Sequence, residues 1–143
     1  MDDVLNQAGD LEGKVVLTCS LPMNAADTEL VVGHTSSGAE TLARKAPGAS
    51  VISAFGTVPS EVLFPVFNAR GTGTPPNLLY CGDNDEAKEV AARLIRDAGF
   101  DPTDVGPLQS ARYLEPFTML IALLAYERDG GPELAYRFER FGS

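Results

Sequence analysis

The residues placed to do chemistry gather where apolar runs end. Ser20, Leu21, Pro22, Met23 and Asn24 follow Val15-Val16-Leu17-Thr18-Cys19, Gly56-Thr57-Val58 follow a run ending in Ala54-Phe55, and Gly82-Asp83 follow Cys81. A nucleophilic Ser20 would need a His and an acid, and the single His34 stands in a polar loop, so no triad is read here. Asp83 could hold a ribose hydroxyl, although a helix cap is the simpler role for it. Thr57 and Asn24 could hydrogen-bond a cofactor, and both are also common turn residues. Cys19 and Cys81 are the two cysteines, with no Cys-x-x-Cys, which reads as two buried thiols rather than a disulfide or metal site. No catalytic side chain and no metal are assigned.

These residues need elements to hold them. Val15 to Cys19, Ser50 to Phe55 and Asn77 to Cys81 are short apolar runs without alternation, as expected of strands covered on both faces. Thr103-Asp104-Val105 adds a short fourth strand. Between them lie helical patterns. Asp2 or Asp3 caps a short helix ending at Gly9, with Val4, Leu5 and Ala8 inward. Ser37-Gly38-Ala39-Glu40 is a capping box before Leu42 and Ala43. Ser60 to Phe64 is a short helix interrupted by Pro65. Ala87, Val90, Ala91, Leu94, Ile95 and Ala98 recur at helical spacing, with Asp85 and Glu86 in the first turn. The alternation predicts an α/β sheet with right-handed crossovers, whose ligands sit at the carboxyl ends of its strands.

The helix from Ser110 to Tyr126 organises the rest. Ser110 is read as its N-cap, and Tyr113, Phe117, Leu120 and Leu124 share one face, with Met119, Ile121 and Leu123 on the others. Pro116 should kink it or mark its first turn. Its apolar run falls short of the ~20 residues that span a bilayer, so a core helix that also meets a second subunit is expected. A last amphipathic piece from Gly130 puts Leu134, Phe138 and Phe141 on one face.

With 143 residues, 20 acidic and 11 basic, the chain reads as a single domain over 1–143 with a net charge of −9. That balance argues against a nucleic-acid partner held through phosphates. The N-terminus has neither the charge nor the apolar stretch of a signal peptide, so a soluble, cytoplasmic protein with no membrane anchor is expected.

In order, Gly13-Lys14-Val15-Val16, Ser37-Gly38-Ala39-Glu40, Pro47-Gly48-Ala49, Ala54-Phe55, Cys81-Gly82-Asp83, Ala98-Gly99-Phe100, Gly106-Pro107-Leu108, Ala111-Arg112 and Leu114-Glu115-Pro116 run through nearly all of the chain. This series resembles the NADP oxidoreductases that use a deazaflavin coenzyme, with their relatives in the ferric-reductase and pyrroline-carboxylate-reductase lineage. The resemblance implies a partial Rossmann-like domain, the second half of a doubly wound sheet with three or four strands and a long apolar C-terminal helix. It implies hydride transfer between NADP(H) and a deazaflavin or other acceptor, chemistry that asks mainly for two stacked rings and little water. By the same resemblance Ser20, Leu21, Pro22, Met23 and Asn24 line the nicotinamide end of a cleft. Ala54, Phe55, Gly56, Thr57 and Val58 form its neighbouring wall, and Leu114, Glu115, Pro116 and Phe117 approach the acceptor. Gly56 stands where the family usually has Asn. The family's G-x-G-x-x-G turn does not occur, so weak or absent NADP(H) binding is expected of this chain alone, and the chain reads as a truncated form. The alternative is a non-catalytic binding or assembly module. An uncovered Val15–Cys19 edge and the apolar helix together predict a homo-oligomer, a dimer through 117–126.

Overall fold

The computed structural model describes residues 1–21 and 35–142. Four strands, β1 (Val15–Thr18), β2 (Ser50–Ala54), β3 (Asn77–Gly82) and β4 (Asp101–Asp104), lie side by side in sequence order. Helices α1 (Asp2–Ala8), α2 (Gly38–Lys45), α3 (Leu63–Asn68), α4 (Asp85–Asp97) and α5 (Ala111–Tyr126) complete an α/β architecture. The sheet is mixed: β1 with β2 and β3 with β4 are parallel, whereas β2 and β3 are antiparallel, with Ala54 opposite Tyr80 and Ile52 opposite Gly82. The segment from Phe55 to Pro76 makes a 3-10 turn (Ser60–Val62), then α3 and a loop, and returns to the end of the sheet it left. The expected common edge of strand ends is therefore corrected. Cys81-Gly82-Asp83 leave the sheet at the end opposite Thr18 and Ala54.

Neighbouring strand residues bury on opposite faces, which explains the unbroken apolar runs. On one face Ile52, Ala54, Leu78 and Tyr80 pack against Ala87, Ala91, Ala92 and Ile95 of α4. On the other, Val51, Leu79 and Cys81 meet Ala39 and Leu42 of α2 and Ala111 and Leu114 of α5. The alanines bring α4 close to the sheet. Asn84 caps α4 by accepting from the Ala87 N–H at 2.8 Å, while Asp83 accepts from the Leu108 N–H at 2.9 Å. Asp83 thus ties the start of the α5 approach to β3, and the cap expected of it falls to Asn84.

The Ser37 box forms as read, its oxygen accepting from Glu40 N–H at 3.1 Å while its hydroxyl donates to the Glu40 carboxylate at 2.7 Å. Pro65 does not interrupt a helix. It sits in the first turn of α3, where its missing N–H has no intrahelical partner to lose. The N-terminal helix α1 buries no residue, and Val4 is exposed.

Three further expectations change. Ser110 does not cap α5, because its hydroxyl donates to the Val105 carbonyl at 3.2 Å and a 3-10 turn (Leu108–Ser110) leads into the helix. The buried line of α5 is Ala111, Leu114, Glu115, Ile121 and Ala125, so Tyr113, Leu120, Leu123, Leu124 and Tyr126 lie on its exposed side. An all-apolar stretch hides which of its faces meets the sheet; the small Ala111 and Ala125 mark it. The last segment does not bury the face expected of Leu134, Phe138 and Phe141 either. Its Tyr136 pairs with Asn77 in an antiparallel bridge, and Phe138 and Phe141 stay exposed. Among the described residues no helix is long and apolar enough to cross a membrane.

Candidate functional site

Because β1 and β2 are parallel, their carboxyl ends emerge together. Thr18 turns the first outward, its hydroxyl accepting from the Ser20 N–H at 3.3 Å. Phe55 ends the second with φ +67°, a left-handed conformation that costs a bulky side chain about 1–3 kcal/mol and concentrates at functional sites. That turn throws Gly56 against the β1 exit. A Cβ on Gly56 would stand 3.3 Å from the Cys19 carbonyl oxygen and 3.7 Å from Thr118 Oγ1, so any side chain here would crowd the junction of the two loops.

A small notch of about 10 Å³, room for about one water, results, walled by Ser20, Leu21, Ala54, Gly56 and Thr57 and closed by Leu114 and Glu115 of α5. The structure thus brings together residues from all three stretches singled out in the sequence. Pro22, Met23 and Asn24 lie outside the described residues. Phe55 and Val58 turn instead into the core on the α4 side. Phe117 packs edge-on against Tyr136 at 5.4 Å between ring centroids, and Pro116, the sixth residue of α5, sits between Glu115 and Phe117 and is half-buried.

Glu115 is buried, with two roles open to it from position alone. It lines the notch, and its two oxygens accept from the first amides of α2, Gly38 N–H at 2.8 Å and Ala39 N–H at 3.1 Å. Burial pushes its carboxyl above the ordinary range, while those two amides pull the other way. Beside it, Arg112 grips Glu40 with two hydrogen bonds of 3.0 and 2.9 Å. The Arg112 guanidinium holds the Glu40 carboxyl below its ordinary value against the cost of burial, and Ser37 helps. Ala111-Arg112-Tyr113-Leu114-Glu115 therefore docks α5 onto the positive end of α2 and fixes one wall of the notch.

Tyr136 was not legible as a site residue. Its hydroxyl bonds Thr57 Oγ1 at 2.6 Å and accepts from the Leu79 N–H at 3.4 Å, and burial raises its pKa. Only a long-range contact places it there, and no local spacing announces such a contact. The thiols also differ from the expectation of two buried ones: Cys19 is exposed at the notch, and Cys81 is buried and pushed up to about 12 by desolvation. No group of three or more potential metal ligands occurs among the described residues.

No protein-family model matches the chain. Over 108 residues, 76% of the chain, it is 33% identical to rat (Rattus norvegicus) metalloreductase STEAP3, of which it spans 20%. In three dimensions it matches a protein of Arthrobacter sp. FB24, whose assignment as an F420-dependent NADP reductase is itself provisional, with a TM-score of 0.84 and 23% identity. That match covers 97% of this chain and 64% of the other. A hypothetical protein of Sinorhizobium meliloti matches with a TM-score of 0.67 and 25% identity, over 96% of this chain and 61% of the other. The chain thus spans a fifth of the length of the curated relative and under two thirds of each structure. Its fold is a Rossmann-like α/β fold, shared with the Arthrobacter protein.

Proposed function

We propose that this chain supplies the nicotinamide- and acceptor-facing wall of an NADP(H)-dependent oxidoreductase that passes a hydride to a deazaflavin or similar acceptor. The observation that carries this reading is the meeting of the β1 exit, the strained Phe55-Gly56 turn and the Leu114-Glu115 segment around one notch. Hydride transfer requires no side-chain acid or nucleophile at the reacting carbon. NADP(H), when bound here, would supply the hydride for transfer to the acceptor. Ser20, Leu21, Gly56 and Thr57 would border the nicotinamide end, which the notch of about 10 Å³ does not itself enclose, with Thr57 fixed by Tyr136, and Leu114 and Glu115 would exclude water from the acceptor side. The sequence expectation for Pro22 to Asn24 and for Pro116 and Phe117 is retained as part of this proposal.

The chain has no G-x-G-x-x-G turn opening a helix and carries a charge of −9, so dinucleotide affinity is expected to be low, with a dissociation constant above about 10 μM. The same reading takes the exposed Leu120, Leu123 and Leu124 of α5 as the contact between two copies of the chain. Saturation-transfer NMR with NADPH tests the assignment. Nicotinamide protons should receive more saturation than adenine protons, and Gly56→Val should abolish the difference. Preferential saturation of adenine would refute it. The absent Gly-rich turn favours a second reading, an assembly module without catalysis, for which NADPH would show no saturation while the chain still self-associates.

A further inference from the structure

Three arginines, Arg70, Arg96 and Arg137, line one surface groove of about 510 Å³. They are three of only 11 basic residues in a chain with 20 acidic ones, and none of those acidic residues lines the groove. In a protein of net charge −9 such a segregated basic site needs a cause.

The arginines are positioned by the fold. The guanidinium of Arg70 stacks on Phe67 at 3.6 Å, and its Nε donates to the Phe67 carbonyl at 2.9 Å. Its stem lies against Gly99, whose φ of +103° and bare Cα allow it: a Cβ there would be 2.9 Å from Arg70 Cγ and from the Val66 carbonyl oxygen. Arg137 reaches the groove from the C-terminal strap and donates Nε–H to the Thr74 carbonyl at 2.9 Å. Neither Arg70 nor Arg137 has a carboxylate partner among the described residues, and Arg96 has only the distant Glu89 at 3.8 Å. Most of their N–H donors therefore stay free. Between them runs Gly71-Thr72-Gly73-Thr74-Pro75-Pro76, with Gly71 and Gly73 at positive φ and open space where their side chains would be.

We propose that this groove binds a compact phosphate-bearing anion, a diphosphate group being the best match for three guanidinium forks around a glycine-rich loop. The inference is independent of the proposed hydride chemistry. The groove opens beside the start of β3 and the end of α4, and the strap that lends it Arg137 also carries Tyr136 to Thr57. Occupancy would brace the wall of the notch through that strap.

Titration of the chain with inorganic pyrophosphate, followed by amide and arginine Nε–H NMR, tests this. Saturable shifts at Gly71, Gly73, Thr74, Arg70 and Arg137, with a dissociation constant of about 1 mM or tighter, are expected. Arg96→Gln, an exposed change that should leave folding intact, should weaken binding by about three- to tenfold, and Arg137→Gln by at least as much. ADP binding tighter than pyrophosphate would support the site and identify a nucleotide source; equal affinities would support it with the diphosphate alone recognised. Citrate binding as tightly as pyrophosphate would overturn the phosphate assignment. Shifts reproduced by sodium chloride at equal ionic strength, or indifference to both substitutions, would overturn the site altogether.

Discussion

The carboxylate of Glu115 accepts from Gly38 N–H across 77 residues of sequence, at 2.8 Å, and so joins the middle of α5 to the opening of α2. The contact places a negative charge at the positive end of a helix and satisfies two of its orphan amides. Glu115→Ala should lower stability by about 1–3 kcal/mol in urea unfolding, and Glu115→Gln by less. A Gln variant as stable as the parent would show that the burial cost of the charge cancels what the two amides return.

Acid should weaken the neighbouring contact. The folded Glu40 carboxyl is held below its ordinary 4.5 by Arg112, so the stability it contributes is present above the unfolded value and is lost as pH falls through the folded one. Glu115 has the opposite sign: its folded value is raised, so its burial cost appears as pH rises through that value. Arg112→Gln should flatten the loss of thermal midpoint below pH 4.5. An unchanged acid limb would remove Glu40 from the account.

Two aspartate substitutions one position apart on α5 should diverge. Ile121 is 6% exposed and Leu120 is 52% exposed. Ile121→Asp buries an unpaired carboxylate at several kcal/mol and should prevent folding. Leu120→Asp should leave a folded chain with a near-parental thermal midpoint, and light scattering should show its self-association lost. Loss of folding in both would mean that the helix is buried all round.

Thiol labelling should separate the cysteines. Cys19 is exposed, whereas burial raises the Cys81 thiol to about 12 and keeps it protonated. Native protein should take up one equivalent of alkylating reagent, and unfolded protein two. Rapid reaction of Cys81 in the native state would contradict the packing between β3 and Leu108.

Short-range chemistry was legible in the sequence and long-range chemistry was not. Ser37 and Glu40 announced their capping box three residues apart, and the stripe of α4 announced the helix and its buried Ala87, Ala91 and Ile95, although Val90 and Leu94 of the same stripe lie exposed and Ala92 is buried in their stead. The direction of β3 was hidden, because a 22-residue connection of turn, helix and loop can return a chain either way. The buried face of α5 was hidden by excess: with apolar residues on every side, only its docking partners choose. At the candidate site, Gly56 and Thr57 could be found from the strand ends, but Tyr136 arrives from 79 residues beyond Thr57, through a strap with no periodic signal.

The account rests on the notch as a nicotinamide site, and amide NMR with reduced nicotinamide mononucleotide tests that most directly. The account predicts saturable shifts centred on Ser20, Leu21, Gly56 and Thr57, propagating to Tyr136 through its hydroxyl and abolished by Gly56→Val. No shift at these residues up to about 10 mM, a range that would still detect roughly 3 kcal/mol of binding, or shifts confined to other surfaces, would contradict it.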